Sequence, residues 1–142
     1  MNSFSENSSR RFLPIAISWA AVVIWALLIF YVSAQPSLST HWGIWDFILR
    51  KAAHMCEYAV LFLLLWNALA QLKLRERTSL LLGAFLAVCY AASDEFHQTF
   101  VPGRSGEPRD VAIDACGVII ALLALTYVRR RLARRPAAAA RE

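Results

Sequence analysis

Residues 78–98 read TSLLLGAFLAVCYAASDEFHQ, and TFVPGR follows at 99–104. The fold turns on where the helix implied by this stretch stops. Its uncharged part, Thr78–Ser93, is 16 residues. At a helical rise of about 1.5 Å per residue this reaches about 24 Å, short of the roughly 30 Å hydrocarbon core of a bilayer. Running the helix on to His97 closes the gap. Asp94, Glu95 and His97 then ride on the last turn of a membrane span, at its boundary or just inside it.

Three further runs bracket this one. Phe12–Val32 is 21 residues without a charge, and Ala52–Leu72 is another 21 with His54 and Glu57 in its first two turns. Val111–Val128 contains Asp114, and an aspartate at the bilayer centre costs about 3 kcal/mol, enough to offset much of that run's apolar gain. Asp114 therefore belongs near an end of its span or beside a partner, and its place one turn from Asp110 suits both. A chain that is 58% hydrophobic and 18% charged, with mean hydropathy +0.47, is too apolar for a soluble domain of this size. The predicted fold class is all-α: a polytopic membrane protein of four transmembrane helices, one domain over 12–128. A short N-terminal tail (1–11) and a basic C-terminal tail (129–142) flank it.

Two details of the first half need weighing. Ser9-Arg10-Arg11-Phe12-Leu13 has the look of a twin-arginine export signal, and Val32-Ser33-Ala34 suits a signal peptidase. The apolar core is longer than the roughly 7–15 residues of a signal peptide, and more membrane chain follows it, so the expectation is an uncleaved first helix. Within the connection Ser33–Arg50, Trp42, Trp45 and Leu49 recur at helical spacing. That pattern predicts an amphipathic segment lying in the interface with its indoles at headgroup depth.

Charge placement gives an orientation. Arg10, Arg11, Lys73, Arg75, Arg77 and six arginines from Arg129 onward fall on one face, against Arg50, Lys51, Arg104 and Arg109 on the other. The positive-inside rule then puts both termini in the cytoplasm. The net charge of +5 brackets the apolar runs and forms no nucleic-acid face. Cys56, Cys89 and Cys116 are odd in number and scattered through apolar runs, which suits neither a disulfide framework nor a metal motif.

On this topology the polar residues converge. Lys51, His54 and Tyr58 share a stripe at the outer start of the second helix, with Glu57 beside it. Asp94, His97 and Gln98 share one at the outer end of the third; Asp110, Asp114 and Gly117 share one at the outer start of the fourth. Ionisable groups at membrane depth point into the bundle, so these stripes, with Glu95, Arg104 and Arg109, predict a polar cup. Pro102-Gly103 and Gly106 allow a sharp turn that brings Arg104 back over it.

The set Lys51-x-x-His54 with Tyr58, Asp94-Glu95-x-His97-Gln98 with Phe100-Val101-Pro102-Gly103-Arg104, then Asp110 and Gly117, resembles the VanZ-like family over roughly Leu13 to Val128. That family includes a small membrane protein associated with resistance to teicoplanin, a glycopeptide with an acyl tail. The resemblance implies a polytopic membrane protein acting at the cell envelope; it implies no particular reaction.

Several functions compete for the cup. Its carboxylates and cations nearly cancel, so one reading is an inter-helix ion network that fixes packing. The other starts from cost, because ionisable clusters at membrane depth mark ion or substrate paths. Lys51, Tyr58, Glu95, Gln98, Arg104, Arg109 and Asp114 would bind an anionic lipid or lipid-linked envelope precursor. If it is processed, His54 or His97 is the acid/base and Asp94 or Asp110 orients it. His54, Asp94, His97 and Asp110 also have the ligand types for a divalent metal, without a local ligand motif. A conduit would need a polar line through the inner halves of the spans, where only Asn67 and Thr126 stand out. Gly83, Ala87 and Ala91, four apart, offer a packing face within the bundle or between protomers of a homo-oligomer.

Overall fold

The computed structural model describes residues 3–35 and 43–139, which form α1 (Ser3–Ser33), α2 (Ile44–Ala70), α3 (Glu76–Gln98) and α4 (Pro108–Ala139). Each contains a segment long and apolar enough to cross a membrane: Phe12–Ser33, Phe47–Ala70, Glu76–Gln98 and Pro108–Arg134. The third helix runs through the acidic pair to Gln98, as the length argument requires. Large apolar side chains such as Leu27, Leu81, Phe85, Ile120 and Leu123 are exposed, as expected where lipid rather than water is the solvent.

The helix ends follow local chemistry. Thr99 caps α3, and the Arg104 N–H then donates to the Val101 carbonyl at 3.1 Å across Pro102-Gly103. Gly103 has φ +78° there, so the chain makes a type II turn, with proline first and a left-handed glycine second. α4 opens on Pro108, whose missing N–H is no loss in the first turn of a helix.

α2 is the hub. It packs against α4, α3 and α1, while α1 touches α3 only lightly. The core is built mostly from α2: Tyr58, Leu61, Phe62, Leu65, Ala68 and Leu69 are buried, joined by Val22 and Ile29 of α1, Ala87 and Ala91 of α3, and Val118 and Ala121 of α4. Small residues set the closest approaches. A Cβ on Gly83 would sit 3.3 Å from the Trp66 backbone nitrogen of α2, and one on Gly117 would run into the Met55 carbonyl. Gly83, Ala87 and Ala91 lie among the buried residues of α3, so this stripe packs within the bundle.

Four features add to the sequence reading. Trp45 and Leu49 are exposed but belong to the first two turns of α2, continuous with the span; Trp42 lies outside the described residues. α1 begins at Ser3 and α4 continues to Ala139, so most of both predicted tails is helix. Periodicity does not break at Phe12 or Val128; only the polarity changes, and a helix can outrun its apolar segment. Asn67 is not isolated either: Asn67 Nδ2 donates to Ser18 Oγ at 3.2 Å, and Gln71 Nε2 donates to the same oxygen, clasping α1 to α2. The three cysteines are free and exposed.

Candidate functional site: a polar cup at one end of the bundle

The cup lies at the end of the bundle where α1 stops and where the α3–α4 loop crosses. The stripe on α2 acts as a ladder with three rungs. Lys51 Nζ forms an ion pair with Asp110 Oδ2 of α4. One turn deeper, His54 Nδ1 stands 3.9 Å from both Glu57 Oε2 and Asp114 Oδ1, too far for a hydrogen bond. Deeper again, the Tyr58 hydroxyl donates to Asp94 Oδ2 of α3 at 3.1 Å. Spacings of three and four along α2 thus reach two different helices, because α2 lies between them.

Around the ladder the α3 end and its loop make a second chain. Gln98 Nε2 donates to Asp94 Oδ2 at 3.2 Å and to Glu95 Oε1 at 3.4 Å. Arg104 Nη1 donates to Gln98 Oε1 at 3.3 Å, and Arg104 Nε to the Gln35 carbonyl at the end of α1 at 3.0 Å. The other Glu95 oxygen accepts the Glu107 N–H at 3.1 Å. Gly106 lets the loop lie this close, since a Cβ there would strike the Glu95 carbonyl. Burial pulls the Arg104 guanidinium below the ordinary arginine value; Arg50 pulls the same way, while Asp94, Glu95 and Glu57 oppose them.

These groups surround a cavity of about 420 Å³ whose lining includes Lys51, His54, Glu95, Gln98, Arg104 and Asp110. Beneath it, Asp94 is 3% and Asp114 2% exposed. Each leaves one buried carboxylate oxygen without a hydrogen-bond partner, Asp94 Oδ1 and Asp114 Oδ2, as do His54 Nδ1 and Asp110 Oδ1. Unpaired buried polar atoms are rare and costly, and here four of them converge on one end of one bundle. Three are acceptors, so the site is suited to a ligand that donates hydrogen bonds as well as one that offers an anion to Lys51 and Arg104.

Not every predicted residue joins in. His97 packs its ring on Phe30 of α1, centroids 4.3 Å apart, with its Nδ1 buried and unpartnered. Among the described residues no hydrogen bond or ion pair links it to the cup. Arg109 borders the cavity but is exposed and pairs with Glu107 at 2.8 Å. The structure adds Phe47, Arg50 and Ser105 to the lining and the Gln35 carbonyl as an acceptor for Arg104. Arg50 was visible in the sequence as a topology charge and as one of the cations balancing the outer carboxylates, and a backbone carbonyl leaves no sequence signal. Among the described residues no three of His, Cys, Asp and Glu are grouped to hold a metal ion, so the suggested set His54, Asp94, His97 and Asp110 is not assembled; His97 faces α1 instead.

The sequence profile of the VanZ/LLP1 family matches residues 12–129, which takes in the first three spans, most of the fourth and every residue of the cup. No curated protein and no solved structure matches the chain.

Proposed function

The chain belongs to the VanZ/LLP1 family, and from that premise we propose that its cup binds the headgroup of an anionic lipid or lipid-linked cell-envelope intermediate. In this reading the protein sits in a bacterial inner membrane with its termini in the cytoplasm and the cup toward the outer leaflet, the orientation favoured by the lysine and arginine distribution. Arg104 and Lys51 meet the anionic group. The unpaired oxygens of Asp94, Asp110 and Asp114 accept from hydroxyl or amine donors of the same headgroup, and the ligand enters sideways from the bilayer. The observation that carries this reading is the cavity itself, with carboxylates at and beneath it that each leave one buried oxygen without a donor while cations stand at its wall. If the ligand is processed, His54 is the acid/base, placed between Glu57 and Asp114.

Native mass spectrometry of the purified chain tests it. A co-purified anionic lipid is expected, retained by Arg104→Lys and lost from Arg104→Ala. Identical spectra for wild type and Arg104→Ala would remove the proposal. A second reading, a purely structural network, draws on the Lys51–Asp110 pair and the Tyr58–Asp94 bond. It expects the Arg104→Ala protein to lose thermal stability without losing any bound lipid.

A further inference from the structure

The opposite end of the bundle holds a second concavity, and none of its lining belongs to the cup. Between the start of α3 and the last turns of the α4 span lies a groove of about 740 Å³. Its walls carry Leu80, Leu81 and Leu122, and its mouth carries Arg77, Arg129 and Arg130 against one acid, Glu76. Arg129 is committed: its Nε meets Glu76 Oε1 at 2.6 Å and its guanidinium lies 5.2 Å over the Trp66 ring. That pair neutralises the only acid among the described residues that line the groove. Arg77 and Arg130 have no ion-pair or hydrogen-bond partner among the described residues. Two uncompensated guanidiniums therefore stand at the end of an apolar slot, Arg130 in the last turns of the α4 span.

We propose that this groove is a binding site for an anionic phospholipid, with its phosphate held by Arg77 and Arg130 and an acyl chain lying along Leu80, Leu81 and Leu122. Guanidinium groups suit phosphate oxygens by their forked donors, and basic pockets between transmembrane helices select acidic headgroups. A zwitterionic lipid carries its own cation and gains less from the two arginines. Inorganic phosphate gains nothing from the leucine wall. The site is independent of the cup.

The test uses the full-length chain in detergent, titrated separately with phosphatidylglycerol and with phosphatidylcholine of the same acyl chains, and read by native mass spectrometry. Phosphatidylglycerol is expected to bind more tightly. The double variant Arg77→Gln/Arg130→Gln weakens that binding about thirtyfold, taking the usual contribution of a basic residue near a membrane surface for each arginine. Arg77→Lys/Arg130→Lys restores most of it, and inorganic phosphate does not compete. Arg104→Ala, at the cup, leaves this binding event in place. Equal binding of the two lipids overturns the site, as does wild-type affinity in the glutamine double variant or loss of this lipid with Arg104→Ala alone. Loss with the glutamine pair alone supports the groove whatever happens at the cup.

Discussion

The two ends of this bundle carry ionisable residues in opposite ways. At the cup, Asp94, Glu95 and Asp114 are almost wholly buried, with Asp94 bonded to α2 and Glu95 to the α3–α4 loop. At the far end, Glu76 and Arg129 pair with their side chains 56% and 44% exposed, and Arg77 and Arg130 are exposed. Charge left in solvent or among headgroups costs little and contributes little. Charge taken out of solvent must be matched atom by atom, and a partner lost there leaves the full desolvation penalty. The cup has several such atoms still unmatched, so the two ends differ in kind: one holds a basic margin, the other a built and incompletely filled site.

The largest effect that can break this contrast comes from closing the cup's architecture. Gly117→Val pushes a side chain into the Met55 carbonyl of α2, and helix backbones cannot yield as a flexible side chain can. We expect a loss of about 3 kcal/mol or failure to fold, in line with overpacking of a tight interface. Thermal unfolding in detergent reads it, with Arg131→Ala at the far end as the near-neutral comparator. Equal melting curves for the two would mean that α2 and α4 do not cross closely.

Asp94→Ala comes next. It removes the acceptor of both Tyr58 and Gln98 and strands a buried hydroxyl, for an expected loss of about 2–3 kcal/mol. Tyr58→Phe takes away only one donor and should cost less, about 1 kcal/mol. A double-mutant cycle between the two then shows non-additivity, because the second change has no bond left to break. Strict additivity would place Tyr58 and Asp94 out of contact.

Sequence reading reached the fold by arithmetic that physics enforces. A bilayer has a thickness, so the 16 uncharged residues before Asp94 had to borrow the next turn, and α3 does end at Gln98. The α2 stripe was equally legible, because positions three and four apart must share a helix face. What spacing could not supply was which neighbour each rung meets. Lys51 reaches α4 and Tyr58 reaches α3 only because α2 lies between them, a fact of packing order. His97 shows the limit from the other side. It shares a turn with Asp94 and Gln98, yet α1 approaches that face and Phe30 takes the ring. The Gln35 carbonyl and the hydroxyl of Ser18 were invisible for a simpler reason, since neither a backbone acceptor nor a lone serine has a pattern.

Lys51→Met is the intermediate case. Its partner Asp110 belongs to the cup, but the two side chains remain 20% and 14% exposed, so part of the cost of losing the cation is relieved by water or headgroups. We expect a loss of about 1–2 kcal/mol, between the surface and buried limits. Lys51→Met/Asp110→Leu should recover part of it, because the stranded carboxylate goes with its partner. A double variant less stable than Lys51→Met would assign Asp110 a second role beyond this pair.

The smallest effect sharpens the contrast most, because it uses the same chemistry in the other setting. Glu76→Gln breaks the 2.6 Å contact with Arg129, and contact length alone would rank it as costly. Exposure argues the reverse: both groups are well solvated when apart, and Arg129 keeps its place over Trp66. The expected loss is under about 0.5 kcal/mol, shrinking further as salt is added. Melting curves for Glu76→Gln and Asp94→Ala at low and high ionic strength decide the matter. A salt-independent loss at Glu76 as large as that at Asp94 would mean that burial is not what separates the two ends.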